Sequence, residues 1–168
     1  MRTNKGFSMV ELLVVVAIIS ILAAVALPQF FGTTLPRMKL RSTTLEMYAT
    51  LQNARSKAIG STSQFGVEID LGASPQTYRL MTRANGAAAW GADATMSAKQ
   101  IDSQVTIDNI TVDAANFTGG VAPVIGFQSV GTASEALIRL RGTTNAGDQY
   151  QIGISSTTGR VRIQQGWI

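Results

Sequence analysis

A long apolar segment near the amino terminus constrains this chain more than any other feature. From Phe7 to Leu27 the sequence has 21 residues, and Glu11 carries the one charged side chain among them. A helix of this length extends about 30 Å, which matches the hydrocarbon core of a bilayer. The 168-residue chain therefore has one apolar helix and enough further sequence for a globular domain with its own core.

Two kinds of segment begin in this way. Arg2 and Lys5 precede the apolar residues, which favours a transmembrane anchor whose amino terminus stays in the cytoplasm while the rest is exported. A secretory signal peptide has the same basic start and apolar run, and "AAVALPQF" offers it a cleavage site. Composition alone leaves both interpretations open.

Glu11 separates the two interpretations. An ionisable group near the centre of a membrane helix costs about 2.5–3.5 kcal/mol, and less near the interface, so it is expected to have a cationic partner and a function. No Lys or Arg lies inside the apolar segment. Cleavage after Gly6 would place the new amino group of Phe7 about one helical turn from Glu11, in its own chain or in a second copy.

The stretch "KGFSMVELLVVVAIISILAAVALP" resembles the leader and helix of type IV prepilins. The shared features are a basic leader ending in Gly, then Phe, a Glu four residues later, an apolar helix and a Pro near its end. The resemblance implies that a prepilin peptidase cuts between Gly6 and Phe7 and that Phe7 is methylated. It also implies that the helix is kept, first as an inner-membrane anchor and then in a filament core, where Glu11 pairs with the neighbouring subunit's terminal amine.

Three later stretches resemble the H-type minor pseudopilins and their pilus relatives, the GspH/FimT group. They are "ARSKAI" (54–59), "FQSVG" (127–131) and "GRVR" (159–162). This resemblance implies a subunit that initiates or caps a type II secretion pseudopilus or a type IV pilus. Its partners would be other pilins and an inner-membrane assembly platform, with a single membrane pass and a periplasmic carboxyl-terminal domain. A major pilin is an alternative, although many of those close a loop with cysteines that this chain lacks.

The remaining pattern predicts an α+β fold, with a long kinked helix packed on an antiparallel β domain. Pro28 is expected to kink the helix, which resumes near Arg37 and ends near Gly60. One face of that second half is predicted to be buried, at Leu40, Thr44, Met47, Leu51, Ala54 and Ala58. The predicted division is a leader (1–6), a transmembrane and filament-core helix (7–28), an amphipathic half-helix (29–60) and a β domain (61–168).

Alternating polar and apolar residues predict the strands of the β domain. Short turns without helices separate them, which favours antiparallel pairing. Residues 84–100 have no clear period and are predicted to form a loop held by Trp90. The seven predicted strands are 64–70, 77–82, 104–112, 124–129, 136–141, 149–155 and 159–164.

The arginines of the last strands suggest a second function. Arg160 and Arg162 would lie on one face about 6–7 Å apart, close to the phosphate spacing of a nucleic-acid strand. Arg139 and Arg141 form a second such pair, and Trp167 could stack on a base. Some competence-pilus members of the resembling group are thought to bind DNA through this region, which implies DNA uptake at a pilus tip as the alternative function. The other explanation is the polar face of a half-buried strand.

Composition argues against an enzyme. The sequence has no Cys and no His, which excludes disulfides, thiolate nucleophiles, Ser-His-Asp triads and the commonest transition-metal ligands. Asp102, Asp108 and Asp113 lack the spacing of an EF-hand loop. We therefore expect no catalytic residues, no cofactor and no metal.

Overall fold

The computed structural model of the chain describes residues 8–29, 34–84, 89–144 and 147–166. Two compact units are present, Met1–Leu35 and Pro36–Ile168. The first contains helix α1 (Met9–Gln29), and the second contains nearly all of helix α2 (Leu35–Ile59) and every strand. Residues 30–33 lie outside the described residues, so the continuity of a single kinked helix stays a prediction.

Helix α1 is apolar on all sides. Its side chains are exposed from Met9 to Pro28, and this span is long and apolar enough to cross a membrane. A helix of this kind is stable when lipid or other helices cover it. Pro28 lies in the last turn, and the helix continues to Gln29.

Helix α2 buries the face that the sequence predicts. All six residues of the predicted stripe are buried, whereas Leu45 is 49% exposed. The stripe contains hydroxyls, and the Oγ1 of Thr44 donates to the carbonyl of Leu40 at 2.8 Å. This bond satisfies a polar group that would otherwise be buried without a partner. Pro36 lies in the first turn, where its missing N–H has no intrahelical acceptor to lose.

The strands form two five-stranded sheets in which every pairing is antiparallel. The first sheet has the order β3-β2-β1-β7, with β4 also pairing with β2, and the second has the order β10-β9-β8-β5-β6. The strand bounds are β1 Gln64–Asp70, β2 Thr77–Arg83, β3 Gly91–Ala92, β4 Lys99–Gln100, β5 Val105–Val112, β6 Ala115–Phe117, β7 Val124–Phe127, β8 Ala136–Gly142, β9 Gln149–Ile154 and β10 Val161–Gln165.

All seven predicted strands are present, and the α+β class is confirmed. Residues 84–100 are not wholly a loop, because β3 and β4 lie within them and pair with β2. Trp90 does contact the first sheet: a Cβ added to Gly126 would lie 2.9 Å from its ring, and one added to Gly66 would lie 3.2 Å away. The two glycines thus make room for the ring.

A single core lies inside the second unit. The buried face of α2 and the inner faces of both sheets contribute to it. Its largest fully buried side chains include Tyr78, Phe127, Met47, Leu80 and Ile138. Because the inner faces are apolar, the alternation along each strand leaves polar side chains on the outer faces.

Candidate functional site

The start of α1 is capped by Ser8. The carbonyl of Ser8 accepts a hydrogen bond from Leu12 N at 3.2 Å, and its hydroxyl lies 3.4 Å from Val10 N. Ser8 and Glu11 therefore have the spacing of a capping box, and the positive end of the helix dipole favours a carboxylate in this turn. The sequence analysis did not identify this cap, which the Ser-x-x-Glu pattern signals.

Glu11 is exposed. Among the residues that the structure describes, no Lys or Arg lies within salt-bridge distance of it. Ser20, in contrast, donates to the carbonyl of Val16 at 2.8 Å and is satisfied within the helix. The predicted cleavage and methylation sites, Gly6 and Phe7, lie outside the described residues, so the pairing of Glu11 with a terminal amine stays a prediction.

Arg160 and Arg162 lie on the outer face of the second sheet. Both side chains are exposed, while Val161 between them is buried. Arg162 lies opposite Gly153 of β9. Arg160 precedes β10, but its carbonyl accepts a hydrogen bond from Ser155 N at 3.1 Å, so the strand pairing continues to it. Neither side chain makes an ion pair within the described part of the chain.

Arg139 and Arg141 lie on β8 and point to the same outer face. They alternate with buried Ile138 and Leu140 and are themselves half-buried. Arg141 forms an ion pair with Asp108, with 2.9 Å between Nη2 and Oδ1. Strand β9 separates this pair of arginines from Arg160 and Arg162 by two strand spacings, about 10 Å. The four arginines therefore lie on the same face of the sheet, but on two strands that are not neighbours.

A groove of about 940 Å³ crosses one end of this face. The exposed arginines of the carboxyl-terminal strand line it together with Arg55 of α2, and Glu135 provides an acid. Its other lining residues are Thr111, Ala114, Ala136, Leu137, Gly153, Ile154, Ser155, Thr158 and Gln164. The predicted site residues did not include Arg55, Glu135 or Gly153. Arg55 reaches the groove from α2, and strand register brings Glu135 and Gly153 there, so no local pattern signals them.

The three later stretches that carry the resemblance to the H-type minor pseudopilins meet at one junction. Nη2 of Arg55, from the first stretch, donates to the carbonyl of Thr158 at 3.0 Å. Gly159, from the last stretch, has a φ of +58°, and a Cβ there would lie 2.7 Å from the carbonyl oxygen of Gly131, from the middle stretch. The glycine is required by this close approach. The motif therefore has a structural role whatever its arginines bind.

The acids considered for metal binding are engaged elsewhere. Asp102 pairs with Lys39 at 3.0 Å, and Oδ1 of Asp113 accepts the N–H of Glu135 at 2.9 Å. A backbone hydrogen bond from Gln104, with Lys39 nearby, holds the pKa of Asp102 below its ordinary value of 3.8. Among the described residues, no group of three or more His, Cys, Asp or Glu side chains is close enough to hold a metal ion.

Residues 1–27 match the family model described as the prokaryotic N-terminal methylation motif. Over 30 residues the chain is 60% identical to two fimbrial proteins of Pseudomonas aeruginosa. This segment is 18% of this chain and 20% of each fimbrial protein, so the likeness spans about a fifth of those relatives.

The fold of this chain is similar to that of solved minor pseudopilins. Two structures of EpsH from the type II secretion system of Vibrio cholerae superpose with TM-scores of 0.59 and 0.61, at 14% and 13% identity. They cover 74% and 76% of this chain and 94% and 97% of the EpsH chains. The solution structure of Escherichia coli GspH gives a TM-score of 0.56 at 15% identity, covering 77% of this chain and 89% of GspH. At these identities the likeness establishes the fold.

Proposed function

Because this chain is a type IV pilin-like protein with the fold of the minor pseudopilins, we propose that it is a structural subunit of a bacterial filament. The observation that carries the proposal is α1, whose apolar side chains are exposed on every side over Met9–Pro28. Burying apolar surface stabilises by about 25 cal/mol per Å², so such a helix strongly favours lipid or a bundle of like helices over water.

The order of the segments along the chain supports the following steps of processing and assembly. Prepilin peptidase removes residues 1–6, and the amino group of Phe7 is methylated. The helix 7–28 anchors the subunit in the inner membrane with residues 61–168 in the periplasm, and then packs among other pilins in the filament. Residues 29–60 connect the two, and Pro28 provides a kink. An inner-membrane assembly platform supplies the movement, and the subunit itself needs no catalytic residue or cofactor.

We propose that Glu11 sets the register between subunits by pairing with the terminal amine of Phe7 in a neighbour. The Ser8–Glu11 spacing provides a sharp test, since the capping-box pattern accepts Gln as well as Glu. Glu11→Gln keeps the capping-box pattern and removes the charge, whereas Glu11→Ala removes both. Both variants should insert into the membrane and enter filaments poorly, and Ser20→Ala should behave as wild type. Normal incorporation of Glu11→Gln would show that assembly does not need the charge of Glu11.

We further propose that the subunit lies at the start or the end of its filament. That filament is either a type II secretion pseudopilus or a type IV pilus. A minor subunit is present in small amounts but is needed for assembly. Quantifying this chain in sheared filaments should give a small fraction of the total pilin, and deleting its gene should reduce filament number. A chain that forms the bulk of the filament would instead be a major pilin.

DNA binding during DNA uptake is the second candidate function. The observation that favours it is the exposure of Arg160 and Arg162 without ion-pair partners in the described part of the chain. Arg141 is neutralised by Asp108, which weakens the four-arginine version of the hypothesis. Trp167, the predicted stacking residue, lies outside the described residues.

Fluorescence anisotropy with duplex DNA tests this second function on the full chain in detergent micelles. Phosphate-driven binding should weaken steeply between about 50 and 200 mM salt. It should also be lost in Arg160→Ala/Arg162→Ala and kept in Lys39→Ala/Arg41→Ala, which removes the same charge from α2. Absence of binding at the lower salt concentration would remove DNA uptake as a function.

A further inference from the structure

The groove on the outer face of the second sheet is polarised. It runs across the strands, from the β5–β6 turn at Ala114 to Arg162 on β10. Three strand spacings separate these ends, about 14 Å. The β10 end carries Arg160 and Arg162, while Glu135 lies beside the start of β8, about two spacings away. A ligand that crosses the groove would thus contact the positive charges of Arg160 and Arg162 at one end and the carboxylate of Glu135 farther along.

Leu137 is accessible in the groove because Gly153, opposite it in the register, has no side chain. A Cβ at this position would find its nearest neighbour, Cδ1 of Leu137, at 3.9 Å. Leu137 is half-buried and lies directly opposite Gly153 in the register of β8 and β9. The depression therefore exposes part of a leucine between flanking strands.

The far end of the groove is held in place by the β5–β6 turn. Asp113 and Ala114 form its two central residues, with φ values of +47° and +68°. These values belong to a tight two-residue hairpin turn. Oδ1 of Asp113 accepts the backbone N–H of Glu135 at 2.9 Å. The turn and the acid are thus joined, so the shape of this end is fixed before any ligand arrives.

We propose that this groove binds an extended segment of a partner protein, with an acidic side chain two residues from an apolar one. The acid pairs with Arg160 and Arg162, and the apolar side chain covers Leu137 above Gly153. In an extended segment, residues i and i+2 point the same way and lie about 6.6 Å apart. That separation fits the distance from β10, which carries the arginines, to β9 and β8, which carry Gly153 and Leu137. This distance is one to two strand spacings, about 5–10 Å.

Charge complementarity favours a peptide over a nucleic acid in this groove. A run of phosphates crossing it would pass Glu135, and like charges at close range repel. The side chain of Leu137 offers nothing to a phosphate, whereas it can remove an aliphatic side chain from water. This inference goes beyond the proposed filament role and does not depend on it, because it concerns binding by single subunits that are not assembled into a filament.

The test uses the full chain in detergent micelles and immobilised peptides of about eight residues, long enough to cross the groove. The peptides have Asp or Glu at one fixed position, Leu two residues later, and uncharged residues varied elsewhere. Control arrays replace the acid by Asn or Gln, or the Leu by Ser. We expect binding to the first array, and at least about tenfold weaker binding to both controls.

Three variants then distinguish binding in the groove from binding by charge alone. Arg160→Ala/Arg162→Ala should abolish binding, and Lys39→Ala/Arg41→Ala should not. Gly153→Val fills the floor at a strand position with room for a Cβ, so it should fold and lose peptide binding while both arginines stay exposed. Circular dichroism confirms that each variant is folded.

Three outcomes would overturn the inference. Peptide binding that survives Gly153→Val would reduce the site to a surface charge pair. Absence of binding to every acidic array would mean that no such segment is recognised. Binding of duplex DNA that persists in Gly153→Val, without peptide binding, would assign the arginines to nucleic acid.

Discussion

The carbonyl oxygen of Thr158 accepts a hydrogen bond from Nη2 of Arg55, 103 residues earlier in the chain, at 3.0 Å. The contact joins α2 to the turn between β9 and β10. Because Arg160 follows that turn directly, Arg55 positions the charged end of the groove as well as lining it. The helix thereby fixes the strand end whose arginines face the groove.

Replacing Arg55 should loosen this junction. Arg55→Ala removes a charge-assisted hydrogen bond and the packing of the side-chain stem against Gly159, and should lower the free energy of unfolding by about 1–2 kcal/mol. Urea unfolding followed by circular dichroism measures the change. Arg41→Ala, at an exposed position of α2, is the control and should alter stability by less than about 0.5 kcal/mol. Equal effects of the two variants would contradict a special role for Arg55.

A side chain at position 159 should be costly. Gly159→Ala places a Cβ 2.7 Å from the carbonyl oxygen of Gly131 in a backbone with φ of +58°. Both the strain and the clash oppose folding, and we expect a loss of about 1–3 kcal/mol. Gly119→Ala, where a Cβ meets nothing within 4 Å and φ is not positive, is the matched control. A stability equal to that of the control would show that the turn shifts freely.

The position of Trp90 should depend on two glycines of the first sheet. Gly126→Ala adds a methyl group 2.9 Å from the ring, which must then move away from the sheet and from Arg83, whose guanidinium lies 4.5 Å from the ring centroid. In a Trp167→Phe background Trp90 is the single tryptophan, so its fluorescence emission should shift to longer wavelength as it meets water. Gly119→Ala should leave the spectrum unchanged. An unshifted Gly126→Ala spectrum would contradict the packing.

Acid should weaken the attachment of the 93–95 segment to α2. Hydrogen bonds from Thr95, with Lys57 3.3 Å away, hold the pKa of Asp93 below its ordinary value of 3.8. A carboxyl whose pKa is lower in the folded state stabilises the fold fully above the unfolded value and loses that contribution as pH falls through the folded value. The stability difference between wild type and Asp93→Asn should therefore be constant above about pH 5 and shrink below pH 4. Unfolding midpoints measured across this range test it, and an unchanged difference would contradict the assignment.

The buried face of α2 should dominate the stability of the second unit. Met47 is fully buried, and Met47→Ala should cost about 2–5 kcal/mol through lost transfer energy and a cavity. Leu45→Ala, two residues earlier on the same helix and 49% exposed, should cost less than about 1 kcal/mol. Denaturant unfolding of both variants gives the comparison, and similar losses would mean that the helix packs differently.

Sequence periodicity was sufficient for the regular elements. The helical spacing in α2 identifies its buried residues because a stripe at three- and four-residue steps lies on one face. The alternation of polar and apolar residues in β1 and β8 identifies strands because successive side chains of a strand point to opposite faces. Strands β3, β4 and β6 were missed, since two or three residues contain no measurable period and depend on pairing with their neighbours.

The sequence by itself determined the apolar segment with its single acid, the stripe of α2 and the outward direction of Arg160 and Arg162. Each of these is a property of local spacing and side-chain polarity. Only the tertiary structure decided that Arg141 pairs with Asp108, that Arg55 contacts Thr158, and that Gly153 opens a floor beside Leu137. These relationships join residues far apart in the chain, because strand register and packing against α2, which no local pattern encodes, set which side chains meet.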